Sequence, residues 1–197
     1  MNKLNALKKH LRPGQVYRRT DLLKWSNTVD RHLAQLCDDN TLVKIQHGLY
    51  TYPKKTAFGD APPTDKKLVT TFLNNDDFLM YSPSQFNGLG LGLTQLYNKV
   101  IVYNHKRYET IQLGGRTFDF RRRPHFPKRV SEDFLLVELL NTLSSLEENQ
   151  DKVREKIREK VRKMKNTSSL RKMANSFGKV GTKKFLNECL KKEHSYA

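Results

Sequence analysis

The spacing of apolar residues divides the chain into short periodic segments. Leu4, Leu7 and Leu11 recur every three or four residues and predict a helix ended by Pro13-Gly14, because proline lacks the N–H a helix needs. Val16 and Tyr17 read as a short extended piece. Thr20 stands where a hydroxyl can cap a second helix holding Leu22, Leu23 and Trp25. Ser26 or Asn27 then caps a third helix, in which Val29, Leu33, Leu36 and Cys37 form a buried stripe. Beyond it, Leu42–Gln46 and Leu49–Tyr52 read as strands joined at His47-Gly48, a hairpin whose glycine takes the turn.

Three short helices followed by a hairpin is the order of a winged helix-turn-helix. In that arrangement the third helix enters the major groove and the wing meets the flanking backbone. The outer face of the third helix carries Asn27, Thr28, Arg31 and Gln35, all able to reach base edges or phosphates. Lys44, Gln46 and His47 lie on the wing, and Arg18 and Arg19 precede the second helix. These nine residues are the candidate DNA contacts. The bland alternative is that the same helices and hairpin dock to another protein.

The stretch Phe58-Gly59-Asp60-Ala61-Pro62-Pro63 reads as a linker, which divides a first domain, 1–59, from a second, 60–143. The second has a helix over 64–73 capped by Thr64 and a buried strand from Phe78 to Tyr81. Extended runs follow at Lys99–Tyr103, Tyr108–Leu113 and Arg116–Arg121, the last two turning at Gly114-Gly115. A helix from Ser131 to Leu143 is nearly apolar all round and so deeply packed. The fold class predicted is α+β: a winged helix-turn-helix, a mixed module and a helical tail over 144–197. No βαβ alternation suggests a doubly wound sheet.

In the tail, Leu146, Val153, Ile157, Val161 and Met164 form a narrow stripe. Beside it run the columns Lys152, Lys156, Lys160 and Arg154, Arg158, Arg162, with Glu148–Lys152 and Glu159–Lys163 as favourable pairs. Leu170, Met173, Ala174 and Phe177 predict a further helix that Gly178 and Gly181 break. Phe185, Leu186, Cys189 and Leu190 predict a last one.

Charge sharpens this division. The 197 residues include 37 Lys+Arg and 20 Asp+Glu, a net +17, which points to a polyanionic partner. Residues 1–59 hold 11 basic and 4 acidic side chains, net +7; residues 60–143 hold 11 and 9, net +2; residues 144–197 hold 15 and 7, net +8. The tail columns are therefore either a solvated face or a second contact to the DNA backbone. Arg121-Arg122-Arg123 fits either an anion or partner site or a solvated edge strand guarded against pairing.

Little here points to catalysis. The glycines at 88, 90 and 92 do not complete a dinucleotide loop, because the third position of that motif falls on Leu93. Asp76-Asp77 are adjacent, so their carboxylates diverge, and Cys37 and Cys189 lie far apart without metal-ligand spacing. No catalytic residue, metal or cofactor is predicted. With no apolar window of membrane-spanning length and no apolar leader at the start, the chain reads as soluble and cytoplasmic, without a membrane partner.

The segments GQVYRRTDLLKW, HGLYTYPK, YSPSQFNGLGLGLTQ, VIVYNHKRYETIQLGGRTFDFRRRPHFP and SEDFLLVELLNTL, in this order and spacing, resemble the AbiEi-type antitoxins of type IV toxin–antitoxin (abortive infection) operons. The likeness covers roughly residues 10–143. It implies a winged helix that binds operator DNA and represses its own operon, joined to an antitoxin domain. It further implies a nucleotidyltransferase-like toxin as partner, counteracted directly or indirectly. A homo-oligomer on DNA is a further expectation, apart from the resemblance. A stand-alone winged-helix regulator, a basic RNA-binding protein and a nuclease are the alternatives, the last lacking an evident carboxylate group for metal.

Overall fold

The computed structural model describes residues 3–191 and is a mixed α+β protein with several sheets. α1 (Lys3–His10) buries Leu7 and leads through Pro13-Gly14 to β1 (Val16–Arg18). α2 (Arg19–Leu22) runs on as a 3-10 turn, Leu23–Trp25, and α3 spans Val29–Asp38. β2 (Val43–Gln46) and β3 (Leu49–Thr51) form the expected hairpin, and β1 adds to the other side of β3. Val43 stands opposite Thr51, Lys44 opposite Tyr50 and Gln46 opposite Leu49; the shift between Lys44 and Gln46 marks a bulge.

β4 (Lys54–Thr56) and β5 (Gly59–Ala61) make a second hairpin, and α4 spans Asp65–Leu73. Thr64 caps α4 as expected, its hydroxyl accepting from the Lys67 N–H. β6 (Phe78–Tyr81), a 3-10 stretch Pro83–Leu89, β7 (Lys99–Asn104), β8 (Glu109–Leu113) and β9 (Arg116–Arg122) follow. The chain then turns helical in α5 (Glu132–Thr142), α6 (Gln150–Arg162), α7 (Ser168–Phe177) and α8 (Val180–Lys191). None of the described helices is long and apolar enough to cross a membrane.

The residues fall into two compact units. One holds the chain as far as Asp77 together with Lys106–Phe118, the other Phe78–His105 together with Asp119 onward. In the first, Leu7, Leu11, Leu22, Val29, Leu33, Leu36 and Leu42 are buried together, each such side chain stabilising the fold by about 1.5–3 kcal/mol. In the second, α5 lies at the centre: Phe134, Leu136, Val137 and Leu139 are fully buried among strand, loop and helix partners. The leucines of GLGLGL alternate inward. Leu89, Leu91 and Leu93 are buried while Gly90 and Gly92 face out with φ of +70° and +64°, so the run is a packing element.

Several local expectations are corrected. Thr20 lies inside α2 rather than capping it, and no side chain caps that helix. Thr28, not Ser26 or Asn27, occupies the cap position of α3, and its side chain makes no cap bond. Ser26 acts one step earlier, its Oγ accepting from the Thr28 N–H at 3.2 Å. The stretch read as a linker contains β5: Lys54 pairs with Ala61, Lys55 with Asp60 and Thr56 with Gly59. β9 lies between β7 and β8, but with the turn at Gly114-Gly115 the five residues of β8 reach only the first part of β9, so Arg121 and Arg122 run past β8 and Arg123 lies beyond the strand.

In the basic segment, α6 starts at Gln150, capped by Asn149, so Leu146 lies outside it. Its stripe Val153, Ile157 and Val161 belongs to the same buried core as α5. Among the described residues the pairs Glu148–Lys152 and Glu159–Lys163 do not form; Lys160 instead meets Glu132 of α5 at 2.6 Å. Gly181 lies within the first turn of α8, and only Gly178 separates the last two helices as expected.

Candidate nucleic-acid interface

α3 presents two unlike faces because its apolar residues recur at helical spacing. Val29, His32, Leu33 and Leu36 are buried, whereas Asp30, Arg31 and Gln35 are exposed, as are Asn27 and Thr28 just ahead of it. The entry to the helix is pinned from inside. The imidazole of buried His32 hydrogen-bonds through Nδ1 to Ser26 Oγ at 2.8 Å, and Thr28 Oγ1 lies 3.5 Å from its Nε2. This pin went unread in the sequence, where His32 stands beside the stripe without a distinguishing spacing.

The β2–β3 hairpin carries Lys44 and His47 exposed, His47 at the turn, with Gln46 half-buried. Gln46 Oε1 is buried without a hydrogen-bond partner, so the bulge leaves one acceptor unfilled. Arg18 is half-buried at the end of β1, facing Leu49 in register.

Arg19 is tied down. Its guanidinium donates from Nε and Nη2 to the two carboxylate oxygens of Asp30 at 2.6 Å each, and its backbone N–H donates to Gly48 at 2.9 Å. The bond to Arg19 holds the Asp30 carboxyl below its ordinary value. One residue therefore links α2, α3 and the turn of the β2–β3 hairpin, and Asp30 offsets its charge while leaving the Nη1 donors unused among the described residues. By contrast, no carboxylate among the described residues lies within ion-pair distance of Arg18, Arg31 or Lys44. At the far end of α3, the Lys8 ammonium donates to Asp39 at 2.7 Å and holds that carboxyl down at about 2.

The arginine triplet divides. Arg121 donates to Asp119 Oδ2 from Nε at 3.1 Å and Nη2 at 2.9 Å, and Lys99 meets the same oxygen at 2.8 Å. Burial pushes the Asp119 carboxyl up, but these two cations outweigh it and hold it low. Arg122 is exposed. Arg123 lies past the strand with its guanidinium 5.3 Å from the Tyr103 ring centre, its N–H donating to the Asn104 carbonyl. The triplet is thus one committed, one exposed and one stacked side chain.

Behind Tyr103 lies a buried polar cluster that the sequence did not single out. Glu138, 3% exposed on α5, accepts at Oε2 from Tyr103 at 2.6 Å and Tyr81 at 3.0 Å, and at Oε1 from the Asn141 amide at 3.1 Å. All three neighbours donate, the set that an acceptor-only carboxylate satisfies. Asn141 also donates to the Phe177 carbonyl and accepts from the Lys179 N–H, so the cluster joins α5 to the segment between α7 and α8.

On α6, the guanidinium carbons of Arg154 and Arg158 lie 5.4 and 4.9 Å from the Phe185 ring centre. Arg158 and Arg162 border a cavity of about 300 Å³ with Glu188 and Cys189. Lys156 is engaged elsewhere, donating to the Leu91 carbonyl at 2.9 Å. Both cysteines are free thiols, and burial pushes each up. No group of three or more metal-ligating side chains occurs among the described residues. Asp76 accepts from the Thr70 hydroxyl at 2.8 Å.

These features define a basic α+β protein whose first unit presents a polar helix face and a cationic hairpin. The chain belongs to the DUF6088 family, a family of unknown function, whose model matches residues 3–172. No curated protein and no solved structure matches it.

Proposed function

We propose that this protein is a DNA-binding antitoxin that represses its own operon. The first unit acts as a winged helix, with α3 as recognition helix and the β2–β3 hairpin as wing. The observation that carries this reading is the two-faced α3: one side buried with its entry pinned by His32, the other exposing Thr28, Arg31 and Gln35 in line, with a basic hairpin after it. An arginine without a carboxylate partner on a rigid helix suits a bidentate contact to guanine, and glutamine one to adenine. Lys44 and His47 then contact phosphates.

The antitoxin role, and a nucleotidyltransferase-like toxin as its counterpart, rest on the resemblance of residues 10–143 to AbiEi-type proteins. Such a protein works in the cytoplasm. Mobility-shift titration on the fragment upstream of its own operon tests DNA recognition, with unrelated duplex as control. Arg31→Ala with Gln35→Ala is expected to remove the preference for that fragment. Unchanged binding to both duplexes would show that α3 is not the recognition helix. Co-expression with the product of a neighbouring nucleotidyltransferase-like reading frame tests the antitoxin role through growth rescue.

A further inference from the structure

The β4–β5 hairpin is a cationic finger with an aromatic tip. Phe58 stands at the two-residue turn with 102% relative exposure, so its whole ring is in water. Turn chemistry does not call for it: tight hairpin tips favour Gly, Asn or Asp, whose backbone and short polar side chains suit the bend. Nor is the tip loosely held. Thr56 Oγ1 accepts from the Phe58 N–H at 3.2 Å and donates to the Gly59 carbonyl at 2.7 Å, and Gly59 takes φ +106°, a value that side-chain-bearing residues rarely adopt.

Lys54 and Lys55 of β4 are exposed, and among the described residues neither has a carboxylate within ion-pair distance. Asp60 stands opposite Lys55 in register but forms no ion pair with it. Within the first unit the hairpin borders the wing strand, since Asp60 and Ala61 line one cavity of about 380 Å³ with Val43, Lys44 and Ile45.

We infer that the β4–β5 hairpin is a second DNA-contacting element, in which Phe58 wedges against or between base pairs while Lys54 and Lys55 hold the adjoining phosphates. The partner is duplex DNA rather than an apolar protein pocket because the strand leading to the ring is cationic and its two lysines have no carboxylate partner among the described residues. Apolar wedges set beside basic side chains are how proteins open a base step from the minor groove. The inference rests on the DNA-binding function proposed above.

The test uses the full-length protein and the upstream fragment carrying 2-aminopurine at successive positions. Wild-type binding is expected to raise 2-aminopurine fluorescence at one step, where stacking is lost. Phe58→Ala is expected to abolish that rise and weaken binding about 5- to 150-fold, the range of one base–aromatic stack. Phe58→Leu, still an apolar wedge, should keep part of the rise. Lys54→Ala with Lys55→Ala should lower the slope of log affinity against log salt by up to about 0.9 per phosphate lost.

Phe58→Ala protein that melts like wild type and binds with unchanged affinity would overturn the inference. If the Arg31, Gln35 variant then still lost its preference for the fragment, the proposed function would stand without the wedge. If that variant kept its preference while Phe58→Ala lost affinity, the wedge would stand and the assignment of α3 would fall. Wild-type protein that binds no duplex at all would refute both.

Discussion

Replacing Glu138 by leucine would remove the acceptor on which two buried phenols depend. Tyr81 and Tyr103 are 3% exposed, and each donates its hydroxyl to Glu138 Oε2. Without it the two hydroxyls, which lie within hydrogen-bond reach of each other, can satisfy only one donor between them, and the orphan left over costs about 1–3 kcal/mol. Asn141 adds little to this cost, because its amide keeps the Phe177 carbonyl and its oxygen the Lys179 N–H. Relief from burying a carboxylate works in the other direction and draws the expected loss toward the lower half of that range. The triple variant Glu138→Leu, Tyr81→Phe, Tyr103→Phe removes the orphan as well, and exchange of both partners for apolar groups of similar shape is close to neutral. It should therefore regain about 1 kcal/mol over the single variant. Urea unfolding at neutral pH, followed by circular dichroism, measures each difference. The reasoning is refuted if the single variant lies within about 0.5 kcal/mol of wild type, or if the triple variant is less stable than the single one.

The same cluster governs alkaline stability. Burial, and then the Glu138 charge, push the Tyr103 hydroxyl up to about 12 from an ordinary 10.0, and Tyr81 is raised further. A folded value above the unfolded one gives stability that is complete below pH 10 and is lost as pH rises toward 12. The tyrosinate absorbance of these two residues should therefore appear together with unfolding, not before it. Gly92→Ala places a Cβ 2.7 Å from Lys156 Nζ at φ +64°, so Lys156 must leave the Leu91 carbonyl. The expected loss is about 1.5–3 kcal/mol by chemical denaturation, and smaller in a Lys156→Ala background, where no ammonium is displaced. If the tail contacts phosphates, glutamine at Arg154, Arg158 and Arg162 should flatten the salt dependence of DNA binding by up to about 0.9 per phosphate while leaving sequence preference intact. Equal slopes would rule out a phosphate contact from this column and leave Arg154 and Arg158 their stack on Phe185.

The sequence by itself determined the elements whose cause is local. The apolar spacing of α3 and α6, the Thr64 cap, and the turns at His47-Gly48 and Gly114-Gly115 each follow from neighbours a few residues apart. Asp30 for Arg19, Glu132 for Lys160 and Glu138 for two tyrosines lie 11, 28 and up to 57 residues away, and no pattern of period two or 3.6 connects them. The candidate interface was legible only as a list of polar positions. Which members are exposed, which are half-buried and which is already held by a carboxylate was decided by packing. The strand read as a linker was missed although its partner is local, Lys54 pairing with Ala61 and Thr56 with Gly59, because Lys-Lys-Thr and Gly-Asp-Ala carry no alternation of apolar and polar residues to announce a hairpin. Only the folded structure shows that this hairpin leaves Phe58 in water at its tip, because among the described residues no tertiary partner covers the ring.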